Sequence, residues 1–101
     1  MNKANIMAIQ IVRNYISRLE RQPMGYWRSS EFAQLSYSKS AARDLLNLLQ
    51  DKTDTPPLVV IEEYRDKMND YSCLNPMWSF MHSVAADTAD SIIDELIGSY
   101  Y

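Results

Sequence analysis

Cysteine and glycine are nearly missing from this chain of 101 residues, which has one of the first and two of the second. The lone Cys73 can form no internal disulfide and has no second thiolate with which to build a zinc site, as expected in a reducing compartment. Long apolar runs are missing too. The first candidate, Ile6 to Val12, is interrupted by Gln10, stops at Arg13 and lacks a small-residue cleavage site. Neither a signal peptide nor a membrane span is expected, and the chain reads as cytoplasmic. There is no internal repeat, no low-complexity tract and no run of basic residues. What is present is apolar material, 47% of the chain. That suffices for one domain spanning 1–101, since a domain of this size buries roughly two-thirds of the surface its unfolded chain exposes.

Charge is spread unevenly. Residues 1–50 hold seven basic side chains against three acidic, and the second half holds three against ten, for a net charge of −3 overall. The plainest account is that helices from the two halves pack side by side and their wet rims attract, worth roughly 0–1 kcal/mol per exposed pair. A sharper account would bring the basic half to nucleic acid or the acidic half to a basic partner.

Apolar spacing is helical throughout. Ile9, Val12, Ile16 and Leu19 define one face of a helix over 4–21, widened by Ile6, Met7, Ile11 and Tyr15, with Arg18 and Arg21 suited to the last turn. Pro23 and Gly25 break it. Ser29 or Ser30 can cap a second segment carrying Phe32, Leu35, Ala42, Leu45, Leu46 and Leu49. The stretch from Ser36 to Ser40 either interrupts that segment or continues it. Asp51 to Pro57 is a linker, because the residue before a proline is pushed out of helical geometry. Thr55 can cap a third helix with Pro56 at its first position, and Leu58, Ile61, Tyr64, Met68 and Tyr71 then repeat at helical spacing.

The best-marked helix runs from Asn75 to Gly98. Asn75 serves as N-cap, Pro76 suits the first position, and Gly98 is expected to end the helix in the left-handed conformation. Met77, Phe80, Met81, Val84, Thr88, Ile92 and Leu96 form its seam, with Asp87, Asp90 and Asp94 on another face. The expected fold is all-α, a compact single-domain bundle of four helices, or five if the second segment breaks.

The wording from Pro56-Pro57 through Asp66-Lys67-Met68, Tyr71 to Asn75, Ser79 to Ala85, and Asp87 to Asp90 and Asp94 resembles a group of short helical proteins without assigned activity. That group is associated with bacteria of the Firmicutes type, their phages and integrated mobile elements. The likeness extends back to Leu35-Ser36-Tyr37, about two-thirds of the chain. It implies a small helical accessory protein and supplies no catalytic residue.

Three constellations bear on chemistry. A helix-turn-helix can be read from Ser30 to Leu46, with Glu31 to Leu35 as the supporting helix, Ser36 to Ser38 as the turn, and Lys39, Ser40 and Arg43 facing DNA. Its turn lacks the usual glycine, is one residue short, and brings an acidic second half near a polyanion. A second constellation is acidic. Glu62, Glu63, Asp66 and Asp70 share a side of the third helix and Asp87, Asp90 and Asp94 a side of the fourth, so two helices could aim oxygens at one Mg²⁺. The spacing of Glu63 and Asp66, then Asp87 and Asp90, is similar to that of all-α nucleotide pyrophosphohydrolases of the MazG type, and the resemblance implies magnesium-dependent hydrolysis. Three of the four positions carry aspartate where that family mostly uses glutamate, and no basic residue is placed to hold phosphates. Third, Cys73 and His82 invite a nucleophile and a base, but nothing supplies a third member, and Cys73 reads as small apolar filler in the connection before Asn75.

Aromatic residues are plentiful. Tyr26, Trp27, Trp78, Tyr100 and Tyr101 are hard to bury together in a domain this small, and amphipathic aromatics are enriched at protein interfaces. The sequence is therefore expected to encode a non-enzymatic interaction protein, without cofactor, that binds another protein or itself, most simply as a two-fold homodimer. The alternatives are a DNA-binding regulator and, third, the magnesium hydrolase.

Overall fold

In the computed structural model, described for residues 3–22 and 29–100, two antiparallel helical hairpins lie against each other. The first pairs α1 (Lys3–Glu20) with α2 (Ser29–Asp51), and the second pairs α3 (Pro57–Leu74) with α4 (Ser79–Tyr100), the most extensive contact in the molecule. A 3-10 turn, Pro76–Trp78, joins α3 to α4. There is no strand among the described residues, and none of their helices is long and apolar enough to cross a membrane.

One core draws on all four helices. Ile9 and Val12 come from α1, Ala41, Ala42, Leu45 and Leu49 from α2, Val60, Ile61 and Tyr64 from α3, and Ala89, Ile92, Ile93 and Leu96 from α4. These are the apolar positions at three- and four-residue steps, so burial follows the helical period directly. Ala41 and Ala42 of α2 and Ala85, Ala86 and Ala89 of α4 are all buried, and side chains this small permit close helix packing. The one hydroxyl in the buried seam, Thr88, is satisfied: its Oγ1 bonds the Val84 carbonyl at 2.9 Å and Ser38 Oγ at 3.1 Å. At the opposite end Asn5 Nδ2 donates to the Thr53 carbonyl at 2.7 Å, tying α1 to the linker between the hairpins.

Several boundaries depart from the sequence expectation. The segment from Ser36 to Ser40 is helical within an unbroken α2, so the turn required by a helix-turn-helix is not formed. Buried Leu35, Ala41, Ala42 and Leu45 explain this, because packing holds both sides of the segment to one axis. Pro56 is the N-cap and Pro57 the first residue of α3, one position later than expected. Asn75 caps the 3-10 turn rather than α4, and its side chain makes no capping bond. Gly98 does not terminate α4: the helix continues to Tyr100, and no described glycine has positive φ.

The seam of α4 is likewise shorter than its spacing suggests. Val84, Thr88, Ile92 and Leu96 are buried, but Met77 and Phe80 lie outside the core, as do Phe32 on α2 and Ile6 on α1. Helical period marks a face as apolar; whether another element covers that face depends on where the partner helix ends.

Candidate functional site

The connection between α3 and α4 is built from residues that cannot prolong a helix. Asn75 is extended, as a residue before proline must be, and its N–H bonds the Tyr71 carbonyl at 3.0 Å. The Trp78 N–H then bonds the Asn75 carbonyl at 3.2 Å, reversing the chain within four residues. Ser72 and Ser79, with their Oγ atoms 3.2 Å apart, clasp the hairpin just behind the reversal. Nothing in the described structure extends beyond this corner to cover it. Leu74 is 80% and Met77 82% exposed, and Tyr71, Trp78 and Phe80 are exposed beside them. From Tyr71 to Ala86 the sequence contains no Asp, Glu, Lys or Arg, so the exposed corner is uncharged as well as apolar.

Adjoining the corner is a cleft of about 180 Å³ where α2, α3 and α4 converge. Tyr37, Ser40 and Asp44 line it from α2, Tyr64 and Met68 from α3, and Met81, His82 and Ala85 from α4. Two ring contacts join cleft to corner: Tyr37 meets Phe80 edge-on at 5.9 Å between centroids, and His82 tilts against Tyr71 at 5.4 Å. A wider space of about 360 Å³ opens between α2 and α3, sharing Asp44, Tyr64 and Met68 and lined also by Asn47, Leu48, Asp51 and Lys67.

Among the described residues Tyr64 is the ionisable group most altered by the fold. Burial pushes its phenol up to about 12 from the usual 10, and the nearby Asp44 carboxylate adds to the shift by disfavouring a second negative charge. The hydroxyl therefore stays neutral at physiological pH.

The sequence-derived site residues are dispersed. Of the five aromatics expected at an interface, Trp78 is at the corner and exposed. Tyr26, Trp27 and Tyr101 lie outside the described residues, and Tyr100 is the last residue of α4 with its side chain also outside the description. Of the residues proposed to face DNA, Lys39 is half-buried, Ser40 lines the cleft, and Arg43 turns to Glu20 of α1 at 3.3 Å. They lie on a continuous α2 and not on a separate recognition helix.

The acidic rows do not converge. Glu63, Asp66, Asp87 and Asp90 are exposed, and Arg65 occupies the space between the two helices, 3.2 Å from both Asp66 and Asp90. Asp90 first and Asp66 second hold that guanidinium even more firmly charged than usual. Among the described residues no group of three or more His, Cys, Asp or Glu side chains is disposed to hold a metal ion. The expected carboxylate pair is instead two acids sharing one arginine, a geometry set by the α3–α4 hairpin register.

Cys73 is exposed in the last turn of α3 and fills no space in the connection, contrary to expectation. His82 is half-buried on the cleft wall. The charge complementarity of the two halves is carried across by Arg18 of α1 and Glu95 of α4. Among the described residues the other ion pairs remain within one half. Asp44 and Tyr64, which define the cleft, were missed as site residues because each looks ordinary on its own helix. The uncharged stretch from Tyr71 to Ala86 was visible in the sequence and is the signal that marks the corner.

No protein-family model, characterised protein or solved structure matches the chain.

Proposed function

We propose that this is a small non-enzymatic accessory protein, working in the cytoplasm and belonging to the phage or mobile-element setting its wording suggests, whose task is to bind another protein. Its docking face is the uncharged corner between α3 and α4. The observation carrying this reading is that Tyr71, Leu74, Met77, Trp78 and Phe80, five exposed large apolar side chains, crowd a single chain reversal. Single exposed apolar residues are ordinary; a contiguous group is not. Trp, Tyr, Phe and Met are also the types enriched where protein surfaces meet.

The test is capture of the tagged protein from its own host, comparing the parent with Leu74→Asp and Met77→Asp. Both positions are exposed, so neither variant removes core packing. Each is expected to reduce the captured partner at least about tenfold, since one buried charge without a counter-ion offsets well over 1.4 kcal/mol of binding. Retention of the partner by both variants, with folding intact, would remove the corner from the interface. Capture of a second, differently tagged copy of the chain identifies the partner as the protein itself.

A further inference from the structure

We propose that the cleft bounded by Tyr37, Asp44, Tyr64, Met68, Met81 and His82 takes one lysine or arginine side chain from the protein that docks on the adjoining corner, an inference that rests on the interaction reading above. Three features of the cleft specify this occupant. Among the described residues Asp44 is the only aspartate, glutamate, lysine or arginine on its wall, and it enters no ion pair. Tyr64 is nine-tenths buried, lines the same space, hydrogen-bonds no described residue through its side chain, and lies near enough to Asp44 to feel its charge. The wall does carry donors, the hydroxyls of Tyr37, Ser40 and Tyr64 and the His82 ring, but its one full charge is the Asp44 carboxylate, which attracts an N–H-rich cation and repels an anion.

The remaining wall is made for a hydrocarbon stem. Met68, Met81 and the Tyr37 ring are apolar and, for the methionines, adaptable in shape, and basic side chains bury their methylene stems along such surfaces. Size limits the guest to one side chain. A cavity of roughly 150 Å³ accommodates a benzene molecule, so about 180 Å³ admits a group of six or seven heavy atoms and excludes a helix or an extended backbone. Lys67 shares the wider space with Asp44 but does not line the narrow cleft, and among the described residues it forms no ion pair with Asp44. Tyr37 and His82 touch corner residues Phe80 and Tyr71, so a partner seated on the corner has its rim within reach of the cleft.

The probe is n-butylammonium, the lysine side chain without its backbone, with 1-pentanol as a neutral control of similar size. Binding is read from the methyl resonances of the six methionines in ¹³C-methyl-labelled protein. Butylammonium is expected to shift Met68 and Met81, leave Met7 and Met77 in place, and saturate below about 50 mM, a weak affinity suited to so few atoms. Pentanol should bind at least about tenfold more weakly, Asp44→Asn should weaken butylammonium by about tenfold or more, and Tyr64→Phe by about threefold. Lys67→Gln should leave binding unchanged or slightly tighter. Asp44 is exposed, so its substitution leaves the core intact.

No shift at Met68 and Met81, or binding that Asp44→Asn does not weaken, overturns the cation site. Retention of the captured partner by Asp44→Asn while butylammonium still binds the parent overturns the side-chain source in favour of a free amine. Loss of capture in Leu74→Asp with butylammonium binding preserved supports both readings. Unchanged capture in both Leu74→Asp and Met77→Asp removes the corner as interface while the methyl shifts still report separately on the cleft.

Discussion

Two stretches of one apolar seam meet opposite fates. Val84, Thr88, Ile92 and Leu96 continue the spacing begun by Met77, Phe80 and Met81, yet the later four are enclosed by α1, α2 and α3, while Met77 and Phe80 stand outside. Chemistry does not separate them, since methionine and phenylalanine are as suited to a core as leucine. Position does. The chain reverses at Asn75–Pro76, and nothing described extends past the reversal to cover it. An apolar period thus has two uses, internal packing and external docking, and the second begins where neighbouring helices run out.

Truncating one residue from each stretch sets the two uses directly against each other. Ile92→Ala empties a fully buried position and is expected to cost about 2–5 kcal/mol in urea unfolding. Leu74→Ala should cost less than about 0.5 kcal/mol in the same measurement, being 80% exposed. Comparable losses at both positions would mean the corner is part of the core.

Next in size is the pH response of Tyr64, which sits where core and cleft meet. Its folded pKa is raised, so above pH 10 the unfolded chain loses the phenolic proton while the native protein keeps it. Stability is thus fully present below pH 10 and falls as pH rises towards 12, by roughly 2–3 kcal/mol for a shift of about two units. Thermal midpoints measured across that window should decline, and Tyr64→Phe should flatten the part of the decline due to this residue. A smaller loss, about 1 kcal/mol, is expected for Thr88→Val in urea unfolding, because the buried hydroxyl serves both Val84 and Ser38. The smallest effect has the opposite sign. A Cβ added at Gly98 meets nothing within 4 Å and the backbone there is helical, so Gly98→Ala should raise stability by up to about 0.5 kcal/mol near the helix end.

Much of the fold was legible because helices announce themselves locally. Ile9, Val12, Leu45, Leu49, Ile61, Ile92 and Leu96 stood at core spacing in the sequence and are core in the structure. Continuity of α2 was not legible: Ser36, Ser38 and Ser40 favour turns as readily as helix, and only the burial of Leu35 and Ala41 on either side decides between them. Gly98 misled because glycine so often ends a helix, while here α4 continues through it. The site was harder still. Trp78 could be named from residue type alone, whereas the cleft depends on how α2 lies across the α3–α4 hairpin, which brings Asp44 to Tyr64 across a distance no local pattern encodes. Arg65 shows the same limit in reverse, since the acidic rows looked convergent until the hairpin register set a guanidinium between them.

If the corner is a docking face, it is covered when the protein works and bare when it is alone. Peroxide oxidation of Met77, followed by mass spectrometry in the purified dilute protein and in the complex captured from its host, reads that difference at the corner itself. Met77 should oxidise rapidly in the isolated protein and at least about tenfold more slowly in the complex, as burial of an accessible thioether at an interface requires. Equal rates in the two samples would contradict a docking role for the corner.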